Sequence, residues 1–149
     1  MLRFLDIITT SCVGLLIGTE LTVSVFINPI LWKLDSVAQM SAVRMFAKRL
    51  GSAMPFWYAA SLALLIAETI VRRHEASLGL LMIACAIWAA VIVVTLLFLV
   101  PINNRLAQVG AKSVAAVAQQ QHKRWDTMHR YRVAALGVAM LCFLMATAS

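Results

Sequence analysis

The sequence predicts an all-α integral membrane protein: a four-helix bundle with an interfacial amphipathic helix between its first and second spans. Three observations carry that expectation. Apolar residues make up 62% of the chain, against about 45–50% in a soluble domain, and the mean hydropathy is +0.89. Long apolar runs recur at lengths near the ~20 residues that cross ~30 Å of hydrocarbon. The 149 residues hold four such spans and little else, so one domain over 1–149 is expected. No Gly/Ser linker or long charged tail marks a second domain. Arg3 gives a basic start, but Asp6 follows and the apolar run continues too far for the core of a cleaved leader.

The first span reads as Ile7 to Ile27, interrupted only by Glu20 and stopped by Asn28-Pro29. Next, Leu34 to Leu50 places Leu34, Val37, Met40, Val43, Phe46, Ala47 and Leu50 on an apolar stripe, with Arg44, Lys48 and Arg49 mostly off it. Asp35 or Ser36 suits its start and Gly51 its end, which describes an interfacial amphipathic helix. The second span is Ala53 to Val71, with Pro55 in its first turn. Six residues, 72–77, then make a turn so short that the second and third spans are antiparallel neighbours. The third span, Leu78 to Val100, carries no charge and stops at Pro101. The stretch Leu106 to Gln121 is helix-prone and either extends the fourth span outward or forms a lid. The fourth span is about His129 to Ala148. Its apolar part, Val133 to Ala148, has only 16 residues, so crossing requires His129 and Arg132 to lie within the span.

Orientation follows from Lys and Arg. Ten of them (Lys33, Arg44, Lys48, Arg49, Arg105, Lys112, Lys123, Arg124, Arg130 and Arg132) lie on the side of the longer connections. Three (Arg3, Arg72 and Arg73) lie on the other. The longer connections are expected in the cytoplasm and both termini outside, the membrane being the cytoplasmic one if the source is bacterial. The net charge of +7 is then the positive-inside signal plus attraction to anionic lipid. No nucleic-acid-binding motif is present, so the expected partners are the bilayer and a small lipophilic molecule.

Polar residues converge at one end. Trp125, His129 and Arg132 are spaced four then three, on one helix face. Asn28 ends the first span there, Asn103, Asn104 and Arg105 follow the third, and Trp57 opens the second. Glu20 lies eight residues before Asn28, about 12 Å deeper. An ion pair of Glu20 with Arg132 is the natural way for both to be tolerated in lipid.

The segments Gly18-Thr19-Glu20, Asn28-Pro29, Pro101-Ile102-Asn103-Asn104-Arg105-Leu106 and Trp125-Asp126-Thr127-Met128-His129-Arg130-Tyr131-Arg132 resemble the anthrone oxygenase-like membrane family. The likeness covers essentially the whole chain. It implies a four-span fold and oxidation of anthrones to anthraquinones with molecular oxygen, without a conventional cofactor. An anthrone has an acidic methylene beside an aromatic ketone. On this reading His129 is the general base, with a pKa near 6.5 when unperturbed. Arg132, or Asn103 and Asn104, holds the developing oxyanion, Glu20 completes the catalytic set, and Trp125 and Trp57 stack on a flat substrate. For Trp57, Tyr58 and Trp125 an interfacial aromatic belt is the competing role.

No metal site is expected: His122 lies seven residues before His129, about 10 Å along a helix, and His74 lies at the other end. Haem with His129 as axial ligand is the alternative cofactor reading, and a binding or structural role is the alternative to catalysis. Glu68 and Arg72, four apart, are expected to pair. Cys12, Cys85 and Cys142 fall in three different spans and are expected to be inert thiols. Gly14 and Gly18 form a GxxxG that suits close contact within the bundle or in a homo-oligomer.

Overall fold

The computed structural model describes residues 2–102, 104 and 115–148. Among them the chain is helical, with no strand. Helices α1 (Leu2–Leu31), α2 (Ser36–Val71) and α3 (Leu78–Ile102) are followed by α4 (Ala115–Ala148). Four helices are long and apolar enough to cross a membrane. Each packs on the next and α1 closes on α4, the cyclic arrangement of an up-down-up-down bundle.

One spacing builds the core. Buried positions recur at three and four residues in every helix: Val13, Leu16, Glu20 and Val23; Tyr58, Ser61, Leu65 and Glu68; Leu81, Ala84, Trp88 and Val91; Leu136, Ala139, Phe143 and Ala146. A mean period of 3.5 keeps one seam of each helix facing the axis. Trp88 fills the middle and donates its indole N–H to the Tyr58 carbonyl at 3.2 Å. The outward residues are also apolar: Phe56 is 80% exposed and Leu15 65%. Such a surface suits lipid rather than water. A second, smaller apolar cluster of Leu31, Val43 and Ile102, with Trp125 and Met128 against it, ties the helix ends together at the α1–α2 turn.

The amphipathic segment is helical, as its pattern requires, but it is not a separate helix. Asp35 caps its start, accepting from the Val37 and Ala38 N–H groups at 3.0 Å each. Gly51 does not end it, because no glycine among the described residues adopts the positive φ of a C-terminal cap. The helix runs through Gly51 and Pro55 to Val71. Likewise α4 begins fourteen residues before His129, so 115–121 extends the fourth span; 106–114 lie outside the described residues. At 1.5 Å per residue, the 36 residues of α2 and 34 of α4 reach about 50 Å. Both therefore project beyond a ~30 Å core.

Two helices widen where a proline follows. In α1 a π turn spans Val23–Ile27, and the Asn28 N–H bonds the Val23 carbonyl. In α3 a π turn spans Thr95–Leu99, and the Val100 N–H bonds the Thr95 carbonyl. Pro29 and Pro101 each stand two residues beyond. A proline has no N–H for the carbonyl four residues back and its ring crowds that carbonyl. Widening the preceding turn relieves the crowding, so α1 does not stop at Asn28-Pro29 but continues to Leu31. Both π turns face the cavity described next.

Candidate functional site

Glu20, Tyr58, His129 and Arg132 meet inside the bundle, one carboxylate accepting from two of them and lying beside the third. Glu20 is 2% exposed. Its Oε1 accepts from the Tyr58 hydroxyl at 3.0 Å, and its Oε2 accepts from Arg132 Nη2 at 2.6 Å. The expected Glu20–Arg132 pair is present, and Arg132 also lies 5.6 Å over the Tyr58 ring.

His129 is 1% exposed and both its ring nitrogens are engaged. Nε2 lies 3.1 Å from the Glu20 backbone carbonyl, which only accepts, so Nε2 carries the proton. Nδ1 is 2.8 Å from Arg132 Nη2, which only donates, and 3.2 Å from Glu20 Oε2. A proton on Nδ1 would set two donors against each other at 2.8 Å. The hydrogen-bond geometry therefore assigns the neutral Nε2–H tautomer, with Nδ1 accepting from Arg132. Trp125, one turn earlier, stacks on the imidazole with centroids 4.7 Å apart and planes 9° from parallel.

This cluster forms the polar wall of a cavity of about 270 Å³, close to the lower end of small-molecule pockets. Val23 and Glu20 line it from α1; Leu50, Gly51, Met54, Pro55, Tyr58 and Ala59 from α2; Ile92, Thr95, Leu96, Leu99 and Val100 from α3; Trp125, His129 and Arg132 from α4. Apart from the four-residue cluster, the wall is almost wholly apolar. Two of its polar atoms, Arg132 Nε and Thr95 Oγ1, are buried without a hydrogen-bond partner. Buried groups are normally paired, so each is a point where a ligand gains a bond at no loss to the protein.

A second polar group lies one turn nearer the α1–α2 turn. Asn28 donates to Asp126 at 2.6 Å, and Asp126 pairs with the exposed Arg130 at 3.2 Å. His122, 1% exposed, stacks on Trp32 at 4.5 Å and lies 3.4 Å from Gln39. A small pocket of about 40 Å³, lined by Asn28 and His122, shares Val23, Leu50 and Trp125 with the cavity beside Arg132.

Of the expected site residues, Glu20, Trp125, His129 and Arg132 come together on the cavity. Asn28 does not line it, because its side chain is committed to Asp126. Trp57 points the other way, against the main core, and donates to the Cys12 carbonyl at 3.1 Å. Asn104 is exposed. Asn103 and Arg105 lie outside the described residues. Sequence reasoning missed Tyr58, Asp126 and Thr95 as members of these groups. Thr95 carried a signal, being the only hydroxyl in the uncharged run 78–100. Among the described residues, no three of His, Cys, Asp and Glu converge as metal ligands.

At the opposite end Arg72 binds Asp6 at 2.7 Å, Glu75 at 2.9 Å and Glu68 at 3.4 Å, and Thr9 donates to Glu68 at 3.0 Å. The hydrogen bond to Asp6, outweighing the lowering effect of burial, pushes the Arg72 pKa further above its already high value. The expected Glu68–Arg72 pair is present within this larger group. The three thiols are free; a Cβ added at Gly14 would lie 3.9 Å from Met140 Cε, and one added at Gly18 would meet nothing within 4 Å.

No curated protein and no solved structure matches the chain. Residues 43–142 match the family model described as anthrone oxygenase. The match takes in Tyr58, Thr95, Trp125, His129 and Arg132 and covers two-thirds of the 149 residues. The chain belongs to the anthrone oxygenase family.

Proposed function

We propose that the cavity binds a flat, lipophilic anthrone- or hydroquinone-type compound and promotes its oxidation by molecular oxygen. The observation that carries this reading is Arg132, whose Nε–H is unpartnered at the wall of an apolar cavity, in contact with a carboxylate–imidazole couple. A ketone oxygen beside Arg132 turns into an oxyanion when the methylene across the central ring, conjugated with it through the aromatic rings, loses a proton, and the guanidinium is placed to stabilise that charge. In this reading Arg132 shifts toward the oxyanion and uncovers His129 Nδ1. His129 takes the proton, and Glu20, 3.2 Å away, stabilises the imidazolium. Oxygen then adds to the electron-rich carbon. The resulting hydroperoxide, protonated by His129, loses water to leave a carbonyl. In sum CH₂ and O₂ become C=O and H₂O, and no external reductant enters. Trp125 holds the imidazole plane and gives the flat ligand an aromatic neighbour.

The test is oxygen uptake by the purified protein with anthrone as substrate, together with its visible spectrum. Anthrone-dependent uptake with quinone formation by a colourless protein supports the reading. A Soret band that His129→Gln abolishes supports haem binding instead. Haem ligation by His129 would require a ring nitrogen to leave either the Glu20 carbonyl or Arg132.

In the same reading the end carrying the 32–35 turn faces the cytoplasm, on the strength of the ten-to-three charge asymmetry. Reporters fused after α4 should read as external; cytoplasmic activity there reverses the orientation and leaves the chemistry untouched.

A further inference from the structure

Most threonines in these helices are satisfied locally. Thr19, Thr22, Thr69 and Thr127 each donate to the carbonyl four residues earlier, at 2.8–3.0 Å. That is the default for a helical threonine. Thr95 departs from it: its Oγ1 is buried without a partner and lies on the cavity wall. It stands at the first residue of the α3 π turn, seven residues before Ile102 and so about 10 Å inside the helix end.

The opposite helix is irregular on the same cavity. Pro55 lies within α2 and has no N–H for the Gly51 carbonyl, and both residues line the cavity. Side chains from α2 and α3 that line it are also exposed on the outer surface: Pro55, Ala59 and Leu96, the last 56% exposed. α3 is uncharged throughout and has the highest mean hydropathy of the four helices, 2.9. The cavity thus reaches the apolar flank between α2 and α3, at a level where the surroundings are hydrocarbon.

We propose that the cavity is filled from the bilayer through the gap between α2 and α3, and that Thr95 at this gap holds an oxygen of the entering aromatic ligand. The occupant is a lipid-dissolved, dioxygenated polycycle rather than an acyl chain. A hydrocarbon tail satisfies neither Thr95 Oγ1 nor Arg132 Nε, whereas a ligand with oxygens on two edges can meet both. Thr95 is then a specificity residue that acts on binding, and the inference rests on reading the cavity as a ligand site, not on turnover.

The experiment uses the full chain in phospholipid nanodiscs, with 9,10-anthraquinone as a redox-stable probe and anthracene as its oxygen-free counterpart, both followed by quenching of tryptophan fluorescence. Thr95→Val should weaken anthraquinone binding about 3- to 10-fold, the effect of one hydrogen bond, and leave anthracene unchanged. Thr95→Ser should restore the affinity. Ala59→Phe should slow association in stopped flow, whereas Leu50→Phe, on the side toward the α1–α2 turn, should not. Equal losses for both probes, failure of Thr95→Ser to restore binding, or slowing by Leu50→Phe alone overturns the proposal. So does a cavity that retains phospholipid and takes up no anthraquinone. If binding behaves as expected but no anthrone is oxidised, the reaction reading falls and this one stands. If anthrone is oxidised and Thr95→Val changes nothing, the reverse holds.

Discussion

Among the described residues, two clusters pair a buried glutamate with an arginine of a neighbouring turn or helix, one toward each end of the bundle. At the Arg72 end, one guanidinium faces three carboxylates, each of its three nitrogens donates to one of them, and Thr9 donates to Glu68. Asp6 and Glu75 are 25% and 42% exposed at the side chain, and none of these residues lines the large cavity. At the Arg132 end, one carboxylate accepts from a hydroxyl and a guanidinium with a neutral imidazole beside it, and Arg132 Nε has no partner. The first arrangement engages every guanidinium nitrogen and ties α1 to α2 through Asp6 and Thr9. The second keeps Arg132 Nε in reserve beside an apolar space. An ion pair in a membrane helix is thus no sign of function by itself; an unsatisfied donor at a cavity wall is a better one.

Turnover separates the clusters most sharply. His129→Gln should reduce anthrone-dependent oxygen uptake by roughly 10²–10⁴-fold, the range for a lost general acid–base group, with an unchanged melting temperature. Glu68→Gln should leave uptake near normal. Equal losses in the two variants would remove the functional distinction drawn above.

Stability comes next. Arg132→Met strands Glu20 at 3% side-chain exposure, and breaking such a pair costs about 3–5 kcal/mol. Adding Glu20→Gln should recover part of the loss in thermal melting. Strictly additive losses would mean that the two are energetically independent.

Arg72→Met should cost no more than Arg132→Met: Glu68, 0% exposed, keeps only Thr9, but Asp6 and Glu75, partly exposed, regain water. Uptake per folded molecule should be unchanged. A drop in uptake without loss of melting temperature would join the two ends functionally.

The smallest effect is expected at Asn28→Ala. Asp126 keeps Arg130, so a loss of about 1 kcal/mol is expected. A collapse of ligand affinity in this variant would make the Asn28–Asp126 group part of the site after all.

Composition and run length determined that the chain is all-helical and carries four helices able to span a membrane, because hydrocarbon leaves the backbone no partners except its own. Spacing also determined that Trp125, His129 and Arg132 share a face, and the scarcity of opposite charges made Glu20 the partner of Arg132. Tertiary packing decided the rest. Gly51 and Pro55 read as a boundary between two helices, yet α2 runs through both, since Gly51 keeps helical φ. Trp57 and Tyr58 are adjacent in sequence but a helix sets neighbours about 100° apart, which sends Tyr58 to Glu20 and Trp57 to the Cys12 carbonyl. Asn28 sits within reach of the cluster by sequence, but Asp126 claims its side chain. Which hydroxyl goes unpaired is likewise a matter of packing: Thr95 Oγ1 is buried at the cavity wall without a partner, whereas Thr19, Thr22, Thr69 and Thr127 bond their own helices.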